Sequence, residues 1–252
     1  MAKTRLDLLL VQRGLAPSRE QAQALILAGA VLVNHQKAAK PGQAVADDAV
    51  LERLGEPLRF ASRAGGKLEA ALDHFAVAVG GRVCLDIGAS TGGFTDCLLE
   101  HGAARVIAID SGSNQMVWRL RNDPRVRVLE RTNARYLTPD VLAGEVPTLL
   151  TMDVSFISAT LLLPVVAPLL APEAEAIVLV KPQFEAGREA VGKGGIVRDE
   201  AARRASVTRV GTCLRQLGAV VAPELASPVL GAEGNQEFLL YARWILHTSN
   251  IL

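Results

Sequence analysis

From residue 83 onward the sequence alternates short, nearly uninterrupted apolar runs with longer stretches of helical spacing, and this alternation leaves few folds open. Strands are predicted at residues 83–87, 105–109, 126–129, 149–152 and 176–180, with two more at 219–222 and 237–242. Helices are predicted at 67–75, 94–101, 114–121, 159–170 and 199–217. Strands that are apolar along their whole length are covered on both faces. Joined through helices, they build an α/β fold with a doubly wound, mostly parallel sheet.

The first 60 residues follow a different pattern. Leu6, Leu9, Leu10 and Arg13 have helical spacing and Gly14 is placed to end that helix. Ser18 followed by Gln21 is a capping signal for a second short helix through Leu27, stopped at Gly29. Small strands follow at 31–33 and 45–51, with a turn at Asn34-His35. Residues 1–60 therefore read as a small α+β module, 61–252 as the large domain, and 55–66 as the linker. Residues 1–40 hold six Lys/Arg against two acids. That local excess suits contact with phosphates even though the whole chain carries only +1.

Half the residues are hydrophobic and 21% are charged, which excludes disorder as the main state. Cys84, Cys97 and Cys213 form no CxxC pair, so neither a disulfide scaffold nor a zinc site is expected, and the four histidines have no metal spacing. Residues 154–172 are uncharged over nineteen positions but contain Pro164, Pro168 and Pro172. They read as a strand end and a buried helix rather than a membrane span. A cytoplasmic protein without membrane or metal partners is expected.

The strongest chemical signal is Leu85-Asp86-Ile87-Gly88-Ala89-Ser90-Thr91-Gly92-Gly93-Phe94, an apolar strand, a glycine-rich turn and a helix start. Asp110 ends the next strand, 22 residues past Gly88, where a carboxylate receives the ribose hydroxyls of an adenine cofactor. The spacing is not the G-x-G-x-x-G of nicotinamide enzymes, and no P-loop is present. An acid ahead of the glycines repels a pyrophosphate but not a sulfonium. S-adenosylmethionine is the expected cofactor, held by Asp86, Gly88, Ala89, Ser90, Gly92, Gly93, Phe94 and Asp110.

Four more residues sit where this topology exposes side chains to the crevice. Lys67 follows Gly65-Gly66, Asp153 and Lys181 end strands, and Glu237 opens the last one. Glu237 reaches the same edge only if its strand runs antiparallel to the rest. Lysines held by carboxylates beside a methyl donor suit deprotonation of a weak nucleophile such as a ribose hydroxyl.

These segments, with Val191-Gly192-Lys193-Gly194-Gly195-Ile196-Val197-Arg198-Asp199 and Gly234-Asn235-Gln236-Glu237-Phe238-Leu239, resemble the TlyA, or haemolysin A, family of ribosomal RNA 2′-O-methyltransferases. Arg5-Leu6-Asp7, Ser18-Arg19, Gly29, Val33-Asn34 and Lys40-Pro41 resemble the small αL-motif RNA-binding domain. The likeness covers nearly the whole chain, with His35 standing where that family usually has glycine. It implies an FtsJ-like Rossmann methyltransferase domain with its last strand antiparallel. It also implies a catalytic tetrad at Lys67, Asp153, Lys181 and Glu237, and a cytidine 2′-hydroxyl in ribosomal RNA as acceptor.

Ribosomal RNA or ribosomal subunits are the expected partners, with Arg5, Arg19, Lys37, Lys40 and Lys193 contacting RNA. The six arginines between Arg119 and Arg135 fit either phosphate contact or intramolecular pairing. The loop at 183–198, with Phe184, is an expected substrate lid. A non-catalytic RNA-binding assembly factor is the alternative, and a haemolysin a further one.

Overall fold

The computed structural model describes residues 3–16, 18–27, 29–54, 59–231 and 234–245. The chain divides into two units, Met1–Leu58 and Arg59–Leu252. Residues 55–58 of the expected linker lie outside the described residues, and Ala64 to Gly66 already belong to a helix.

The first unit runs β1 (Lys3–Arg5), α1 (Leu6–Gln12), α2 (Arg19–Leu27), β2 (Val31–Val33), β3 (Gln36–Lys37), β4 (Ala44–Ala46) and β5 (Leu51–Arg53). Leu6, Leu9 and Leu10 of α1 and Ala22 and Ile26 of α2 close on Val31 and Val45, the small core their helical spacing calls for. The Ser18 hydroxyl accepts the Gln21 N–H at 3.3 Å, as the capping signal requires. The expected strand at 45–51 is instead two. A tight turn, with Ala49 N–H on the Ala46 carbonyl, sends β4 to pair with β1 and β5 to pair with β2. Asp47-Asp48 in the middle is the turn chemistry that breaks it. Asn34 and His35 both have positive φ, 50° and 66°, the geometry of a two-residue hairpin between β2 and β3.

The second unit contains α3 (Ala64–His74), β6 (Val83–Ile87), α4 (Gly93–Glu100), β7 (Arg105–Ile109), α5 (Trp118–Arg121), β8 (Val126–Leu129) and β9 (Leu149–Met152). It continues with α6 (Leu163–Val166), β10 (Glu175–Val180), α7 (Pro182–Glu185), α8 (Glu200–Gln216), β11 (Ala219–Val221), β12 (Leu225–Ala226) and β13 (Phe238–Trp244). The sheet order is β11-β13-β10-β9-β6-β7-β8, with β12 paired to β13. Strands β10, β9, β6, β7 and β8 are parallel, and β13 lies antiparallel between β10 and β11. Two apolar layers cover the sheet. Leu163, Val166, Val210 and Leu214 lie in one, and Leu68, Leu72, Phe94 and Leu98 in the other.

Two predicted helices are much shorter than their apolar spacing suggests. The segment 159–170 is broken into a 3₁₀ turn at Ala159–Leu161, α6, and a second 3₁₀ turn at Ala167–Leu169. Pro164 and Pro168 lack the N–H groups a continuous helix needs. The helix expected from Asn114 starts only at Trp118, because Asn114 itself is left-handed at φ 58°.

Candidate active site

The order of the sheet reverses between β6 and β9, and the site lies outside the carboxyl ends of those two strands. From β6 the chain turns sharply at Gly88, whose N–H bonds the Ile109 carbonyl at 2.8 Å. Gly88 has φ +86°, and a Cβ there would run into the Asp153 carbonyl oxygen. Glycine is thus required twice over, for the turn and for the approach of β9. Gly92 stands left-handed before α4, and Gly93 begins that helix.

The turn opens on a cavity of about 510 Å³ lined by Gly88, Ser90, Asp110, Gln115, Asp153 and Phe156, among others. A smaller cavity of about 140 Å³ shares Gly88, Ser90, Asp153 and Ser155 with it and adds Ala89, Gly93, Phe94 and Lys181. Asp110 takes the Ser90 N–H at 2.8 Å on one carboxylate oxygen and the Gly112 N–H at 2.7 Å on the other. Both oxygens keep a lone pair for a ligand.

Asp86 is placed differently from the sequence expectation. It is fully buried beneath the turn and lines neither cavity. Thr95 donates to it at 2.7 Å and Thr151 at 2.9 Å. Burial, only partly offset by these two hydroxyls, pushes its carboxyl up to about 6. It braces the turn from below through these two hydroxyls.

The four expected reacting residues come together as two ion pairs. Val180 of β10 is paired with Phe238 of β13, so Lys181, next after Val180, faces Glu237, just before Phe238. The Lys67 amine, one turn into α3, lies 2.5 Å from Glu237 Oε2 in a nearly closed environment. The Lys181 amine lies 2.6 Å from Asp153 Oδ1 and donates to Ser155 Oγ at 2.9 Å. Asp153 Oδ1 takes no well-aligned hydrogen bond, so the contact with Lys181 is mainly Coulombic. Lys181 and Asp153 line the smaller cavity, while Lys67 and Glu237 are buried and line neither cavity.

The chain is similar to known proteins along nearly its whole length. Residues 60–244 match the FtsJ-like methyltransferase family, and residues 4–51 match the S4 domain. The chain belongs to the FtsJ-like methyltransferase family. It is 48% identical over 242 residues to the 16S/23S rRNA (cytidine-2′-O)-methyltransferase TlyA of Mycobacterium tuberculosis, spanning 96% of this chain and 90% of that one. A solved structure from Streptococcus thermophilus, provisionally named a hemolysin, superposes with a TM-score of 0.75 at 43% identity, covering 97% of this chain and 89% of that one. An S-adenosylmethionine-dependent methyltransferase from Listeria monocytogenes shares the fold alone, with a TM-score of 0.54 at 17% identity, over 73% of this chain and all of that one.

In this methyltransferase the basic residues of the S4 unit are partly prearranged. Asp7 is fully buried and holds Arg5 through both carboxylate oxygens, at 3.0 and 2.9 Å, and Arg19 at 3.0 Å. Gln23 adds a fourth side-chain bond at 2.9 Å. The outer faces of both guanidinium groups remain about half exposed. Lys37 and Lys40 are exposed, as is Lys193 in its own 3₁₀ turn. Arg119, Arg121 and Arg125 pair with Asp96, Glu130 and Asp123, which favours the intramolecular reading for these three.

Two residues of the site were not found in the sequence, and a third, Asn235, was seen there only as part of a segment, without its role. Ser155 positions the Lys181 amine. Phe156 is 92% exposed at the cavity mouth, in a left-handed conformation with φ 66°, and its ring lies 5.2 Å from that of Phe184. Asn235 is taken up below. Ser155 and Phe156 fall in the uncharged stretch where every side chain looks like core. Among the described residues no helix is long and apolar enough to cross a membrane, and no cluster of ligating side chains is placed to hold a metal ion.

Proposed function

We propose that this methyltransferase transfers a methyl group from S-adenosylmethionine to the ribose 2′-hydroxyl of a cytidine in ribosomal RNA, acting in the cytoplasm on ribosomal subunits. The observation that carries this reading is the pair of lysine–carboxylate contacts, Lys67–Glu237 and Lys181–Asp153, at the strand edge beside the glycine turn. Residues 1–60 grip folded RNA and residues 61–252 perform the transfer.

The larger cavity suits the cofactor. Its Gly88 and Ser90 backbone is bare of bulky side chains, and the Asp110 carboxylate has free lone pairs for ribose hydroxyls. When bound there, S-adenosylmethionine supplies an electrophilic methyl group. The chain's own residues supply the rest. A ribose hydroxyl is a poor nucleophile until its proton leaves, so a base must sit within hydrogen-bond reach. Lys181, on the wall of the smaller cavity, takes that proton when its amine is neutral, with Ser155 and Asp153 fixing its direction. Lys67 and Glu237 form the second, buried pair and support that edge of the site. Phe156 offers an apolar face at the mouth on which a base turned out of its stack can rest. Arg5 and Arg19, set by Asp7, meet the RNA backbone.

Transfer of radiolabelled methyl groups to ribosomal subunits tests this. Lys67→Ala, Asp153→Ala and Lys181→Ala are expected to abolish transfer while calorimetry shows cofactor binding intact. Full transfer by all three variants would defeat the assignment.

A further inference from the structure

We infer that Asn235 is a positioning residue for methyl transfer: it keeps the Glu237 carboxylate on Lys67 by fastening the turn that carries Glu237 to the loop at Val197. This rests on the supporting role proposed above for the Lys67–Glu237 pair in methyl transfer.

Asn235 is a polar side chain only 2% exposed, and both of its amide atoms are used on one short piece of backbone. Its Oδ1 accepts the Val197 N–H at 3.0 Å, and its Nδ2 donates to the Gly195 carbonyl at 2.9 Å. The side chain thus pairs with residues 195 and 197 much as a neighbouring strand would, which fixes both distance and direction. Val197 is itself fully buried, and its carbonyl accepts from Arg203 Nε of α8 at 2.8 Å. The anchor is therefore the long helix α8, not a free loop.

On the other side, Asn235 closes the turn that leads to Glu237. Its backbone carbonyl accepts the Gly231 N–H at 2.9 Å. The Glu237 carboxylate lies against the bare α-carbon of Gly231. A Cβ at Gly231 would overlap Glu237 Oε1 and lie 2.5 Å from Cδ. The φ of Gly231 is outside the left-handed region, so glycine is needed there for space and not for backbone shape. The turn thus provides a slot for the carboxylate, and Asn235 holds the slot in register with α8. Removing the amide leaves the buried Val197 N–H and the partly buried Gly195 carbonyl without their partner and frees the turn to shift. A misplacement of about 1 Å in a reacting constellation costs about a hundredfold in rate.

Methyl transfer to ribosomal subunits at saturating cofactor tests this with Asn235→Ala, Gly231→Ala, Glu237→Gln and the two doubles that combine each of the first with Glu237→Gln. Each of the first two variants is expected to lose about a hundredfold in rate, with calorimetric cofactor affinity unchanged. Each double is expected to be no slower than Glu237→Gln alone, because the carboxylate through which Asn235 and Gly231 act is already gone. Losses that multiply in the doubles, or full transfer by Asn235→Ala, overturn the inference while leaving the tetrad standing. Full transfer by Glu237→Gln overturns both. If Asn235→Ala does not fold, Gly231→Ala decides the matter, since it removes no hydrogen bond.

Discussion

Replacing Asp86 by asparagine changes the pH dependence of stability in a direction the structure fixes. The carboxyl is fully buried, and burial is the main cause that lifts it from its ordinary 3.8 to about 6. A group raised on folding contributes stability below its unfolded value and loses it as pH rises through the folded one. Between pH 3.8 and about 6 the unfolded chain is ionised at this position and the folded chain is not. At about 1.4 kcal/mol per pH unit, the wild-type protein loses about 3 kcal/mol over this window from Asp86 alone. Asparagine has the same shape, and the Thr95 and Thr151 hydroxyls can rotate to serve its amide as donor or acceptor. Its own cost is about one hydrogen bond, about 1 kcal/mol, and does not vary with pH. Urea unfolding of both proteins from pH 4 to pH 8 measures the difference, in which every other carboxylate cancels. The variant is expected to gain about 2.5 kcal/mol relative to wild type on going from pH 4 to pH 8, since a small part of the loss is already complete at pH 4. A difference that stays flat, or that falls as pH rises, would refute the burial argument.

Other consequences can be checked separately. Gly88→Ala is expected to weaken cofactor binding in calorimetry and to lower the melting temperature, because it adds about 1–2 kcal/mol of left-handed strain to a clash with the Asp153 carbonyl. Asp7→Asn is expected to weaken RNA binding in a filter assay and to flatten its salt dependence, since Arg5 and Arg19 lose their common anchor. The Arg5 guanidinium holds the Asp7 carboxyl well below the usual carboxylate range, so its contribution to stability is present above about pH 4 and lost as pH falls below it. The same variant should therefore unfold more readily at neutral pH and match wild type in strong acid. Phe156→Ala is expected to raise KM for RNA, since it removes the exposed ring on which a displaced base would rest.

Much of this was legible in the sequence because strand ends fix positions. Once residues 149–152 and 176–180 are read as parallel strands, Asp153 and Lys181 must stand at their carboxyl edge, and an antiparallel last strand brings Glu237 there as well. Lys67 was legible through its neighbours, the glycines of α3. Asp86 was found, but its burial was not legible, because a sequence shows that an acid precedes a glycine turn but not which side of the strand it faces. Strand β6 points it inward, at the two threonines. The segment 159–170 misled through its apolar spacing, which the prolines override. Asn235 stood in one of the segments that carry the resemblance, yet its pairing was not legible, for a different reason. Its partners Gly195 and Val197 are about forty positions away along the chain, and no local pattern marks a side chain that pairs at such range.

The central claim concerns the atom that receives the methyl group. A methyl on the 2′-oxygen blocks the attack by which alkali cleaves the neighbouring phosphodiester, so the two can be distinguished chemically. Ribosomal subunits labelled with the radioactive methyl group by the wild-type protein, then hydrolysed in alkali, should release the label in an alkali-resistant dinucleotide whose 5′ member is cytidine. Lys181→Ala should place no label there. Label recovered instead in a single nucleotide, which is methylation of a base, would contradict the account.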